Sequence, residues 1–231
     1  MSEPGSKRGR THDAAGARET LLNAAEQVFA EHGFDGARID LIAKVAGYNK
    51  SLIFQYFGDK LGLYAEVIRR ADDQTREMQN QALASFQSEL ALDPQTMTKL
   101  LRQFVGWYFD YLVAHPAIMR IYNWEMAEGW QTFAKIVSQR DFDDVDQFAA
   151  VLTKVQAAKL LRSDLNPVVQ LAPAMFGCHT FLAMVPIYRI LLPAVDLSSP
   201  AALATAREFV IEFVTHGLLR EPFEIEAPTP T

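Results

Sequence analysis

Cysteine is almost missing from this chain: Cys178 is the only one in 231 residues. A single thiol excludes an intramolecular disulfide framework and a four-cysteine zinc site, and it fits a reducing, cytoplasmic setting. An apolar leader is missing too. Residues 1–10 read Met-Ser-Glu-Pro-Gly-Ser-Lys-Arg-Gly-Arg, polar and basic, without the hydrophobic stretch of a secretory signal. No alternating strand pattern persists. There is no Ser/His/Asp set, glycine-rich phosphate loop or His-x-x-x-His pair, so no catalytic centre, cofactor or metal is expected.

Positive charge is also short, with 22 Lys and Arg against 28 Asp and Glu and a net charge of −6. The deficit is uneven. Residues 1–60 carry eight cations and eight acids, so the first quarter is neutral and an overall acidic balance leaves room for a local basic footprint. Charge is absent altogether from Pro167 to Tyr188, a stretch long enough to span a bilayer. It nevertheless holds Gln170, Pro173, Gly177, His179, Thr180 and Pro186. A helix buried on all sides in a helical bundle explains it better than a span, and no membrane partner is expected.

What is present is helical spacing nearly throughout, in a chain that is 49% hydrophobic and 22% charged, enough to bury a sizeable core. Residues 1–14 are expected to be a basic, disordered tail. A first helix runs from about Ala14 to His32, with Leu21, Ala25 and Val28 as its seam and Gly33 as its stop. Helices over 39–46 and 50–57 flank the turn Gly47-Tyr48-Asn49, with Asn49 as N-cap. Asp59 caps a long helix from Lys60 into the eighties. Further helices are predicted over 95–114, ended by His115-Pro116, over 116–127, and from an acid-rich start at Asp141 to Leu161. The last two begin at Asn166-Pro167 and Ser199-Pro200, each a cap followed by a first-position proline. Pro186 is expected to kink or end the first of these.

Two short helices joined by a glycine-containing turn form a helix-turn-helix. Ala43 and Gly47 are small where the helices cross, and Ile42, Ile53 and Phe57 fix the second helix at its angle. Its other face, with Lys50, Ser51, Gln55 and Tyr56, suits a DNA major groove, and Lys60 stands nearby for phosphates. The segments Gly33-Phe34, Asp40-Leu41-Ile42-Ala43, Ala46-Gly47 and Lys50 through Lys60 resemble the DNA-binding domain of the TetR family of bacterial regulators. The preceding helix from Leu21 to Gly33 is similar to that family's first helix, so the likeness covers about residues 15–75.

The resemblance implies an all-α protein: an N-terminal three-helix helix-turn-helix domain over 15–75, and an effector-binding and dimerisation domain over 76–219, followed by a tail over 220–231. It implies a cytoplasmic homodimeric regulator, a repressor, on palindromic double-stranded operator DNA, its affinity tuned by a small effector. By the family's pattern Lys50, Ser51, Leu52, Phe54 and Gln55 lie along the groove and Tyr56 and Lys60 meet phosphates. Arg38 and Asn49 complete the DNA-facing set. Three positions depart from the pattern. Phe54 stands where tyrosine is usual, so a phenolic contact to phosphate is lost. Arg38 replaces a capping threonine; it cannot cap, but its length reaches a phosphate. Leu52 replaces a smaller residue, which opens apolar contact with a thymine methyl.

In the second domain, Phe104, Trp107, Tyr108 and Tyr111 recur at helical spacing, first of all a core stripe and alternatively the lining of an effector cavity. Tyr122 and Trp124 carry the same two readings, and so does His179. The candidate effector set is Phe104, Trp107, Tyr111, Tyr122, Met175 and His179, with Leu182 on the same stripe as the last two, suited to a hydrophobic or aromatic ligand. Cys178 and His179 are adjacent, about 100° apart around a helix, and cannot chelate one metal together. Asp141 to Asp146 lacks the glycine of a calcium loop. The last two helices, with Phe209, Val210, Phe213 and Val214, are expected to form a two-fold four-helix dimer interface. The alternative reading is a helical enzyme or a scaffolding protein using the apolar C-terminal pocket.

Overall fold

The computed structural model of the chain describes residues 7–88, 93–138, 143–161 and 166–219. These form α1 (Lys7–Gly36), α2 (Ile39–Ala46), α3 (Lys50–Phe57), α4 (Lys60–Ser88), α5 (Pro94–Ala114), α6 (Pro116–Ala127), α7 (Gln131–Val137), α8 (Asp143–Ala157), α9 (Pro167–Leu191) and α10 (Pro200–Leu218). Among the described residues the sole extended pairing is one isolated bridge, Leu161 with Leu219.

Two compact units emerge, and they do not follow chain order. The first joins residues up to Glu77 with His115–Asp141, and the second joins Met78–Ala114 with the chain from Phe142 onward. The division at residue 76 drawn from the sequence therefore differs from the packing, because α6 and α7 belong with α1 to α3 and the part of α4 up to Glu77. The cause is apolar. Ile118 and Ile121 of α6 are fully buried, as are Leu21, Leu22, Ala25, Val28 and Phe29 of α1, and the two helices pack along each other.

Polar contacts fix the register of that joint. The Trp124 indole N–H donates to the Ala30 carbonyl at 3.2 Å. Gly33, where φ of +68° interrupts α1, sits so close that a Cβ would lie 3.1 Å from the Trp124 ring. Glu125 is 1% exposed, yet both its oxygens are satisfied: Tyr64 donates to one at 2.7 Å and the Phe133 amide to the other at 3.0 Å. Burial, then the bond to Glu125, raises the Tyr64 phenol above its ordinary range. Tyr64 also meets Phe29 and Phe34 edge-on, with centroids 4.8 and 5.1 Å away. On the outer side Arg70 of α4 binds Glu19 at 2.8 Å, Asn23 at 2.7 Å and Glu26 of α1, and Arg18 pairs with Glu66.

In the second unit α5 packs on α9 and α10, and α8 on α9. Met97, Val105, Phe109 and Leu112 of α5 are buried together with Ala174 and Cys178 of α9 and Val210, Ile211 and Val214 of α10. Arg207 of α10 holds Asp110 of α5 through its Nε at 2.9 and 3.0 Å. Arg102 of α5 returns the pairing to Glu208 at 3.1 Å and to Glu212.

Several expectations are corrected. α1 begins at Lys7, so residues 7–14 are helical rather than a disordered tail; no proline interrupts the chain from there to Ala37. α7 escaped the sequence reading because it has only seven residues. Its start is a turn through Gly129 and Trp130, both at positive φ. α9 does not end at Pro186 but runs to Leu191; the proline's missing N–H leaves the Leu182 carbonyl without its helical donor. Residues 1–6, the tail over 220–231, the start at Asp141 and the side chains of the acidic run after it lie outside the described residues.

Tyr64→Phe should strip Glu125 of one donor while changing little volume. A buried acceptor left unsatisfied costs roughly 1–3 kcal/mol, readable as a lower urea midpoint at unchanged slope. An unaltered midpoint would mean that the carboxylate finds another donor.

Candidate nucleic-acid interface and effector site

The helix-turn-helix is built by three local devices. Gly47 ends α2 in the left-handed region (φ 72°, ψ 21°), a conformation that costs glycine nothing, and the Tyr48 amide closes the turn onto the Ala43 carbonyl at 3.0 Å. The Asn49 side chain then caps α3, accepting from the Ser51 amide at 3.0 Å. After α3, Gly58 turns the chain and Asp59 caps α4 through the Gly62 amide at 2.7 Å. Gly62 has no room for a side chain, since a Cβ would meet the Phe57 carbonyl oxygen at 2.1 Å.

These devices leave α3 with two faces. Ile53 and Phe57 are buried, while Lys50, Ser51, Phe54 and Gln55 are exposed, and Leu52 and Tyr56 are half-buried between them. Asn49 and Arg38 are exposed as well. Arg38 occupies the N-cap of α2 without a side-chain cap bond. The structure adds partners that the sequence reading passed over. Lys50 lies 3.1 Å from Asp40 of α2, both well exposed. Lys60 donates to the Asp35 carbonyl at 3.2 Å and sits 4.6 Å above the Phe34 ring; desolvation lowers its pKa, partly offset by Asp35. Val45 and Tyr48, 46% and 37% exposed, extend the same region with apolar surface. With Ile39, Ile42, Ala43 and Ala46 turned inward, Val45 falls about 110° around α2 from the centre of that face, which marks it as exposed.

Of the effector candidates, Phe104, Trp107, Tyr111, Met175 and His179 all fall in the second unit, and Tyr122 falls in the first. Phe104 and Trp107 are half-buried, Tyr111 and His179 buried and Met175 exposed. Trp107 stacks on Tyr111 at 5.6 Å. Tyr108, read from sequence only as part of the stripe, is the link to α9: its hydroxyl lies 2.6 Å from His179 Nε2. Burial pushes the His179 imidazole down to about 4 and the Cys178 thiol up to about 12, so both are uncharged at neutral pH. Tyr122 is grouped instead with Trp130 and Phe133, each ring 6.4 Å away. Among the described residues no cluster of His, Cys, Asp and Glu has the form of a metal site.

The chain's similarities follow the same division of labour. A family profile described as bacterial regulatory proteins, tetR family, matches residues 21–67. A second, described as a Tetracyclin repressor-like C-terminal domain, matches residues 98–214, half of the chain. The chain is 29% identical over 220 residues to the HTH-type transcriptional repressor NicS of Pseudomonas putida, covering 91% of this chain and 96% of that protein. It is 34% identical over 119 residues to the HTH-type transcriptional repressor SCO4008 of Streptomyces coelicolor, covering 50% and 53%. Among solved structures, the putative transcriptional regulator SCO4942 of Streptomyces coelicolor superposes with a TM-score of 0.56 at 26% identity, over 87% of this chain and 98% of that one. Members of the family bind operator DNA and small-molecule effectors, typically as dimers. A capped, two-faced helix after a glycine turn and profile matches at both ends of the chain lead to one conclusion: the protein belongs to the TetR family and is a DNA-binding regulator of transcription.

Proposed function

We propose that the protein is a cytoplasmic repressor that binds a palindromic operator as a homodimer, with α3 of each subunit in a major groove. The observation that carries this reading is the exposed face of α3, where Lys50, Ser51, Phe54 and Gln55 stand together over the buried anchors Ile53 and Phe57. Gln55 reads an adenine edge, and Lys50 a guanine edge or phosphate once it leaves Asp40. Arg38, Asn49, Tyr56 and Lys60 meet the backbone, and Leu52 flanks the base-reading set. Repression is favoured by the names of the two curated relatives above.

Dimerisation falls to α9 and α10. Val210 and Val214 of α10 are buried, but Phe209 and Phe213 are 63% and 69% exposed and stack on each other at 6.2 Å. On α9, Met175, Phe176, Met184, Ile187, Ile190 and Leu191 are exposed. Val168–Leu191 is long and apolar enough to cross a membrane by length and composition, with mean hydropathy 1.6. Its buried side, however, carries Gln170 and His179, polar groups suited to contacts within a protein bundle. A second copy of the chain is the partner that suits its outer side, and no membrane is required.

The effector site lies between α5 and α9, lined by Phe104, Trp107, Tyr111 and His179, and takes a hydrophobic or aromatic molecule that meets a neutral imidazole, while the exposed Met175 is assigned to the dimer face instead. Tyr122, with Trp130 and Phe133, forms a second aromatic candidate. Effector binding and dimerisation occupy residues 76–219 in chain order, and DNA reading occupies residues 15–75. The chain acts by binding and not by catalysis.

Gln55→Ala should relax preference at one or two base pairs by roughly 1–3 kcal/mol, whereas Arg38→Ala should weaken all sequences alike and lower the salt slope by about one. Identical base profiles for the two variants, in a fluorescence-anisotropy panel, would refute these roles. Phe209→Glu together with Phe213→Glu should leave a monomeric mass in light scattering at micromolar concentration; a double variant that stays dimeric moves the interface elsewhere. The His179 imidazole titrates at about 4 when folded, against 6.5 in the free side chain. Between those values the unfolded chain binds the extra proton, so stability falls as pH drops from about 6.5 and levels off below about 4. The loss from this group is on the order of 3 kcal/mol. His179→Gln should flatten that part of the profile in urea titrations, and an unchanged profile would show that the imidazole is not held neutral.

A further inference from the structure

We infer that Phe54 gives this regulator its sequence preference by reading the 5-methyl group of thymine. The inference rests on α3 lying in the major groove. Among the described residues of the first unit, the exposed large apolar side chains are Val45, Tyr48, Phe54 and Trp124. Only Trp124 lies outside the helix-turn-helix. An interface that recognised phosphates and polar base edges alone would gain nothing from such side chains, because apolar atoms against polar groups leave hydrogen bonds unmade.

Phe54 is the apolar member placed for base contact. It stands one helical turn after Lys50, beside Gln55, and is 49% exposed, whereas Leu52 is half-buried and has less surface to offer. The apolar feature that unmodified DNA presents in the major groove is the C5 methyl of thymine. The electrostatic alternative is weak on this helix. Lys50 is the only charged residue of Lys50–Phe57, and Asp40 holds its ammonium at 3.1 Å. Gln55 points the same way, since its bidentate partner is adenine. The two neighbouring side chains therefore both favour A·T pairs, one through hydrogen bonds and the other through a methyl contact.

The test uses the full-length protein and the operator recovered by selection from a random DNA pool, with deoxyuridine replacing each thymidine in turn. That exchange removes only the methyl group and keeps the base pair. Wild-type protein should lose about fourfold in affinity at one or two positions per half-site, the effect of one buried methyl. Phe54→Ala should bind more weakly overall and be indifferent to deoxyuridine at those positions, while Phe54→Leu, still apolar, should remain sensitive. The inference is overturned if no position is sensitive in the wild type, or if Phe54→Ala keeps the wild-type sensitivity. If Phe54→Ala binds too weakly to measure, an insensitive Phe54→Leu overturns it and a sensitive one supports it. Gln55→Ala separates the two levels. If α3 does not read the groove at all, Gln55→Ala also leaves base preference unchanged; if only the methyl reading fails, Gln55→Ala still relaxes it.

Discussion

Much of the first unit depends on where Tyr64 is held. Its ring fills the space beside Phe29 and Phe34, and its hydroxyl is bound by the carboxylate of Glu125. An ionisable group this deeply buried is tolerated only when its hydrogen-bonding capacity is met, and the Phe133 amide supplies the second donor. One phenol thus links α4 to α6, and through Glu125 to α7. Phe34 in turn supports the ammonium of Lys60, at the start of the helix that follows α3. Ile53 and Phe57 seat the inner face of α3, and Phe34 beside Lys60 anchors the start of α4 that follows it.

Charge is organised to suit a surface that approaches a polyanion. The net charge is −6, which taken alone would oppose DNA. On α1, however, Glu19 and Glu26 are engaged by Arg70, and Glu66 of α4 by Arg18 and Arg69. Arg69 contributes most to holding the Glu66 carboxyl below its ordinary value. Exposed pairs of this kind add little stability. Their larger effect is to neutralise acids of α1 and α4. Asp40 of α2, also exposed, takes up the one cation of α3, Lys50.

The helix-turn-helix was legible in the sequence because local chemistry decides it. A glycine at a left-handed position, an asparagine that can cap and apolar residues on one face of a short helix leave few alternatives, and α2 and α3 fall where spacing puts them. Partners distant in sequence were not legible. Nothing in the Asp40 to Lys50 interval states that the two side chains meet, since that follows from the crossing angle. The Tyr108 to His179 contact joins residues on α5 and α9, and the aromatic stripe by itself did not reveal which ring would reach across. α7 failed for another reason. Seven residues give too few turns for a period to show, and its position depends on an amide bonded to Glu125, a tertiary contact. Of the two outcomes expected at Pro186, a kink or an end, the end does not occur: its missing N–H costs one hydrogen bond, and the packing of a 25-residue helix outweighs that cost.

The composition of α9 follows from having to satisfy two different surroundings at once. Ala174 and Cys178 allow close approach on the inner side, where Gln170 and His179 are also buried. The outer side keeps Met175, Phe176, Met184 and Ile187 in solvent, and Phe209 and Phe213 of α10 are exposed likewise. An apolar surface of that extent on a monomer favours association. A helix that buries Gln170 and His179 and exposes a mostly apolar side, broken by Thr180 and Arg189, fits the proposed subunit completed by a second copy. Hydropathy alone does not separate a core helix from a membrane span here; Gln170, His179 and the prolines inside the stretch do. Hydropathy averages around the helix, whereas the distinction lies in which side the few polar groups face.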